Sequence, residues 1–360
     1  MEFTYKKGMG IGGWLTNYKR FNVLPNDKRL ELTIGDYEHF DTYITEWDVI
    51  NIKNMGMDHI RLGFDQIVLE EAPFVYRERT MALVENFVSL CEKHGLGIIL
   101  NLHKCIGNYC DIEEDVTIFD SSELQERFIA LWLELERRFK DKESVIFELL
   151  NEVRDIEPDL WNDLAERTLN AIRAVNKSRK IIIGSTCWNN PNKLHSLRVF
   201  DDENVIYTFH MYDPSEFTHQ RGVLHWKQLY YNRKMEYPAS SEKYKEYYKL
   251  VFGNENAYAE FDCIDINYMR TLFEPVKEFK KKNPDKVLWL GEFGTIRHAD
   301  ISSRENWMRD VITLARECDV PYCVWNYLST PNDGNRFSLV DDDTREILSA
   351  EMLKIINGDF

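Results

Sequence analysis

Short apolar runs alternate with amphipathic helical stretches along the whole chain, and this alternation limits the possible folds more than any other feature. Residues 145–150 follow the helical segment 122–139, and residues 180–184 follow 158–175. Residues 287–290 follow the helical segment 267–282, and residues 322–325 follow 303–318. Runs this short and this apolar are strands covered on both faces, and a helix between successive strands makes the strands parallel. Residues 9–13, 59–62, 96–102 and 204–209 complete a set of eight strand-helix units, closed by a last helix at 344–356. The predicted fold is α/β, a (β/α)8 TIM barrel. At 360 residues the chain suits one elaborated domain spanning 1–360.

Two stretches exceed what barrel connections need. Residues 21–40 carry the turn signals Pro25-Asn26-Asp27 and Gly35-Asp36 and are predicted to form an exposed loop at the barrel mouth. The connection from Tyr212 to the seventh strand is far longer than an ordinary βα loop and dense in aromatics, among them Phe217, Trp226, Tyr230, Tyr244, Tyr248 and Tyr258. So many rings need a packed partner. The prediction is an inserted lid subdomain at 213–265, lying over the mouth after strand six.

Acidic residues outnumber basic ones by 61 to 45, and the net charge of -16 repels nucleic-acid phosphates and anionic membranes. A neutral substrate fits this balance. No window approaches the roughly 18 continuous apolar residues of a membrane span, and the first residues lack the apolar core of a signal peptide. Cytoplasmic residence is the expectation. The seven cysteines are scattered without a CxxC pair, so they read as reduced thiols and not as disulfides or zinc ligands. Nothing calls for a metal, a cofactor or an obligate protein partner.

In a parallel barrel, catalytic groups gather where strands end, because the strand fixes them while the next loop leaves them open. The run Phe147-Glu148-Leu149-Leu150 ends in Asn151-Glu152, and Val287-Leu288-Trp289-Leu290 ends in Gly291-Glu292. Glu152 and Glu292 are therefore a pair of lip carboxylates from different strands. Such a pair is what glycoside hydrolysis needs: an acid to protonate the leaving oxygen and a carboxylate to attack or to activate water. The other lip residues are Arg61, His103, Trp188, His210 with Tyr212, and Trp325. The remaining histidines, including His59 and His219, read as structural.

The set of motifs resembles family five of the glycoside hydrolases. The likeness runs from Gly12-Gly13-Trp14 through Ile60-Arg61-Leu62, Leu150-Asn151-Glu152, Phe209-His210-Met211-Tyr212 and Gly291-Glu292-Phe293-Gly294 to Trp325-Asn326-Tyr327. The resemblance implies a retaining endo-β-1,4-glucanase acting on soluble β-glucan or cello-oligosaccharides, like the cytosolic endoglucanases of that family. It makes Glu152 the general acid/base and Glu292 the nucleophile, with their carboxyl groups about 5 to 5.5 Å apart. It also places Arg61 and Tyr212 beside Glu292, and Asn151 on the sugar 2-hydroxyl. His103 and His210 would contact hydroxyls or orient the acids, and Trp325 and Trp188 would offer flat faces to sugar rings. One departure is Lys104, where close relatives often carry a second histidine. The same two glutamates also serve β-mannanases and exo-acting β-glucosidases. A sugar-binding barrel without catalysis is the non-enzymatic alternative, and Glu152, Glu292, Arg61, Asn151 and Tyr212 together argue against it.

Overall fold

A computed structural model describes residues 3–16, 32–110, 116–223, 226–330 and 334–360. Eight parallel strands close on one another in chain order: β1 Lys7–Leu15, β2 His59–Asp65, β3 Gly97–Lys104, β4 Val145–Glu148, β5 Ile181–Gly184, β6 Val205–Met211, β7 Val287–Phe293 and β8 Tyr322–Val324. The order is that of a (β/α)8 barrel, as the alternation predicts.

Side chains on a strand alternate between the barrel interior and the helical layer. Outward rows such as Ile60, Leu62 and Phe64 join the large core beneath the helices. Inward rows begin as an apolar floor of Ile99, Ile146, Ile182, Ile206, Trp289 and Cys323. Two residues further up, the same rows turn polar, with Asn101, Glu148 and Thr208, all fully buried. Next come His103 and His210, so the C-terminal end of the barrel is a polar ceiling on an apolar plug.

β7 breaks the alternation usefully. Its pairing with β6 shifts between Leu290 and Glu292. Gly291 faces inward, since a Cβ there would lie 2.5 Å from Thr208 Oγ1 and 3.3 Å from His210 Nε2. The shift lets the next residue, Glu292, reach the interior as well, which is the usual effect of a bulge.

The helices follow the predicted segments closely, including Ser122–Phe139 and Pro158–Val175. The helix Glu46–Asn54 starts at Thr45, whose backbone N–H and hydroxyl donate to Asp48. Three expectations need correction. Within the expected loop 21–40, residues 21–31 lie outside the described residues, but Ile34–Thr42 is a helix whose N-cap, Thr33, bonds Asp36 in the same way. The helical segment 267–282 is two helices, Ile266–Leu272 and Glu274–Lys282, because Pro275 has no N–H to continue the first. The closing helix is only Ala350–Asn357, since Asp341 binds the backbone N–H groups of Asp343 and Thr344 in a turn and Ser349 caps the helix afresh.

Among its described residues, the insertion after β6 holds three helices, Ser215–Thr218, Trp226–Tyr231 and Ser241–Phe252, and a two-stranded sheet pairing Ala239–Ser240 with Cys263–Ile264. It packs on the flank of the barrel as well as its lip. Tyr237 donates from its hydroxyl to Asp310 at 2.7 Å, and Trp307 Nε1 donates to the Asp213 carbonyl at 3.0 Å. At the inner end, the Thr218 hydroxyl donates to the Tyr212 carbonyl. The His219 ring lies 5.1 Å from that of Tyr212.

Candidate active site

Arg61 stands on β2 with no solvent exposure, and a guanidinium buried this deeply must be paired. Its Nε and Nη2 donate to the two oxygens of Glu148 at 2.6 and 2.8 Å. Nη2 also donates to Asn151 Oδ1 at 2.7 Å, and Nη1 donates to Glu292 Oε1. Burial alone would lower the pKa of Arg61. Glu148 and Glu292 reverse that and carry it above the ordinary value, so the cation is permanent.

Tyr212 donates its hydroxyl to the second oxygen of Glu292 at 2.9 Å. Burial first, then the charge of Glu292, pushes the phenol well above its usual range, so it remains a donor. Glu292 is thus held at both oxygens, its side chain only 5% exposed, whereas that of Glu152 is 18% exposed.

His210 Nδ1 lies 2.8 Å from Glu152 Oε1 and 3.8 Å from Glu292 Oε2. Burial lowers His210 to about 4, against the opposing charge of Glu292, and the imidazole is neutral at neutral pH. One ligand atom each from Glu152, His210 and Glu292 lies within 4.8 Å of the other two. As a metal cage the trio is poor, because the Arg61 cation and the Tyr212 hydroxyl already occupy the oxygens of Glu292. As two carboxylates facing one gap, it suits acid-base and nucleophilic work on a bound acetal.

The other predicted residues line the same mouth. His103 is kept neutral by burial and by the nearby Lys104 and Arg61 cations. Its hydrogen bond goes to Asn101 at 3.1 Å and not to either glutamate, and its ring stacks on Trp325, centroids 5.3 Å apart. The Trp325 indole fills space left by Gly10 and Gly12, where a Cβ would come within 2.8 and 2.4 Å of the ring. Trp188 stands 40% exposed on the rim, its Nε1 donating to the Cys110 carbonyl at 2.8 Å. Sequence reasoning missed Glu148, Asn101, Asn189 and Cys110. The available signal was a charged residue, Glu148, inside an apolar strand, where burial demands a cation.

A closed eight-stranded barrel with two facing glutamates at its C-terminal lip, one of them clamped by arginine and tyrosine, defines the glycoside-hydrolase class of barrel enzymes. The family model described as "Cellulase (glycosyl hydrolase family 5)" matches residues 26–330, and the chain belongs to that family. It is 33% identical to Endoglucanase C of Acetivibrio thermocellus over 98% of both chains. It is 31% identical to Cellodextrinase A of Ruminococcus flavefaciens over 87% of this chain and 84% of that one. Among solved structures it is similar to Thermotoga maritima Cel5A in complex with cellobiose, with a TM-score of 0.74 and 25% identity, covering 98% of this chain and 97% of the other.

Proposed function

We propose that this glycoside hydrolase is a retaining endo-β-1,4-glucanase that cleaves soluble β-glucan or cello-oligosaccharides by double displacement, with Glu292 as nucleophile and Glu152 as acid/base. The observation that carries the assignment is the difference in environment between the two glutamates. Glu292 receives a hydrogen bond from a cation on one oxygen and from a phenol on the other, which together fix the direction of its carboxyl group. Glu152 has a neutral imidazole against its Oε1 and more access to solvent. An anion aimed from the buried side is suited to attack, and an exchangeable proton on the open side is suited to the leaving group.

In the first step Glu292 attacks the anomeric carbon while Glu152 passes its proton to the departing oxygen. The ester that forms removes the negative charge of Glu292, which makes Glu152 more acidic and ready to act as base. In the second step Glu152 takes a proton from a water that attacks from the face the leaving group vacated, opposite Glu292, so Glu292 departs as a carboxylate and the β configuration returns. Asn151, its Oδ1 held by Arg61 and one amide N–H directed to Cys110 Sγ at 3.8 Å, offers its other N–H to the sugar 2-hydroxyl, where a hydrogen bond strengthens as positive charge builds on the ring. The similarity to an endoglucanase and a cellodextrinase over most of both chains supports glucan as the substrate.

Digestion of cellohexaose, mixed-linkage glucan, mannohexaose and xylan, with early products followed by proton NMR, tests this reading. Internal cleavage of the glucans with the β-anomer formed first is expected. Preference for mannohexaose, release of single glucose units only, or an α-anomer first would overturn it.

A further inference from the structure

Asn189 lies at the lip after β5. Cys187, Trp188 and Asn189 all have left-handed backbones, with φ of 58, 56 and 56°. Such conformations are unfavourable for non-glycine residues and persist where surrounding structure imposes them. Here the turn puts Trp188 on the rim and Asn189 fully inside. The Asn189 amide is pressed on Gly184, where a Cβ would come within 2.1 Å of its Oδ1.

The amide nitrogen of Asn189 has two neighbours. It donates to the backbone carbonyl of Asn151 at 2.5 Å, and it lies 3.2 Å from His210 Nε2. A carbonyl oxygen only accepts, which fixes the amide with its NH2 group in this direction. A ring nitrogen facing that NH2 must accept too, and in a neutral imidazole the proton then sits on the other nitrogen. That nitrogen, Nδ1, faces Glu152 Oε1 at 2.8 Å.

We propose that Asn189 is a positioning residue for the acid/base step: it holds His210 in the Nδ1–H tautomer, so that the imidazole donates to Glu152 Oε1 and does not draw the proton of Glu152 inward to the ring and away from the leaving group. The inference rests on Glu152 being the acid/base. Through the cycle Glu152 gives its proton to the glycosidic oxygen and regains one from the attacking water, while His210 keeps its own. With the opposite tautomer, a lone pair on Nδ1 would face Oε1. A protonated Glu152 would then direct its hydrogen bond inward to the ring and away from the substrate.

The tautomer can be read in the intact enzyme by long-range proton-nitrogen NMR on histidine-labelled protein, with His210→Gln supplying the assignment. A pyrrole-like Nδ1 and a pyridine-like Nε2 at pH 7 are expected. The reverse pattern, or an imidazolium, overturns the proposal without any folding question. Kinetically, Asn189→Ala should lower kcat/KM for cellotetraose about 10- to 100-fold while changing 2,4-dinitrophenyl β-cellobioside by less than about threefold, since that leaving group needs no proton. A merely structural role would lower both together, and that result, or no loss on cellotetraose, contradicts the proposal. Glu152→Ala, measured alongside, separates the two levels. If it spares the aryl glycoside while Asn189→Ala does not, only the role of Asn189 fails. If Glu152→Ala also loses both substrates equally, the acid/base assignment beneath it fails.

Discussion

Arg61 grips Glu148 through two parallel hydrogen bonds, Nε to Oε2 and Nη2 to Oε1, with both side chains fully buried. The pair fixes the guanidinium plane, and with it the direction of Nη1 toward Glu292. Glu148 therefore acts on the proposed nucleophile at one remove. Glu148→Ala leaves a buried cation half paired, and a loss of about 3–5 kcal/mol in urea unfolding is expected. Glu148→Gln keeps the shape and should fold with a smaller loss, yet lower kcat because Arg61 is less firmly aimed. Parent-like stability and turnover in both variants would show that the clamp has no such role.

The two glutamates should fail differently. Glu292→Ala removes the atom that forms the new bond, so hydrolysis of every substrate is expected to stop. Glu152→Ala should retain slow turnover of dinitrophenyl cellobioside, and added azide should restore rate by attacking the glycosyl enzyme without need of a base. The product to look for is β-cellobiosyl azide. Its absence, with no rate gain, would remove Glu152 from the acid/base role.

The insertion carries a titrating group of its own. Glu216 is buried among tyrosines, with Tyr258 donating to its Oε2 at 3.2 Å and Tyr248, Tyr244, Tyr247 and Asp213 nearby. Burial pushes its carboxyl up to about 7, above the ordinary value of 4.5. Folding thus favours the neutral acid. The stability it contributes is complete below about pH 4.5 and is lost as pH rises to about 7, a change on the order of 3 kcal/mol. Glu216→Gln should unfold at the same temperature as the parent near pH 4.5, and at a higher one at pH 8. Equal melting temperatures for the two proteins at pH 8 would contradict the neutral buried acid.

We infer that the insertion also walls one end of the cleft and helps to set substrate length. Its inner part, through Thr218 and His219, touches Tyr212, and Ile296 donates its N–H to the Thr218 carbonyl at 2.9 Å. Removing that part would disturb the site itself. The informative deletion replaces residues 226–252 with a short Gly-Ser linker and leaves 213–223 in place. A changed ratio of rates on cellotriose and long glucan is expected. An unchanged ratio in a folded variant would mean the outer insertion plays no part in selecting substrate.

Most of the barrel was legible because its strands are buried on both faces and its helices amphipathic, two patterns that local sequence carries without ambiguity. The helix Ile34–Thr42 was missed because its Gly35-Asp36 pair reads as a turn, whereas Thr33 and Asp36 use the same polar atoms to begin a helix. At the site, residues that follow apolar runs were easy to single out, as Glu152 and Glu292 were. Glu148 was hidden inside such a run, and its meaning depends on Arg61, 87 residues away in sequence. Asn189 was hidden for another reason: its placement comes from three left-handed residues that nothing in Cys187-Trp188-Asn189 encodes locally.

Covalent trapping bears most directly on the proposal that Glu292 is the nucleophile. Incubation with 2,4-dinitrophenyl 2-deoxy-2-fluoro-β-cellobioside slows both steps but speeds departure of the leaving group, so a glycosyl ester should accumulate. Intact mass should rise by one fluorocellobiosyl unit with loss of activity, and peptide mapping should place the adduct on Glu292. An adduct on Glu152, on Glu148 or on any other residue, or complete turnover with no adduct and an α-configured product, would contradict the double displacement proposed for this enzyme.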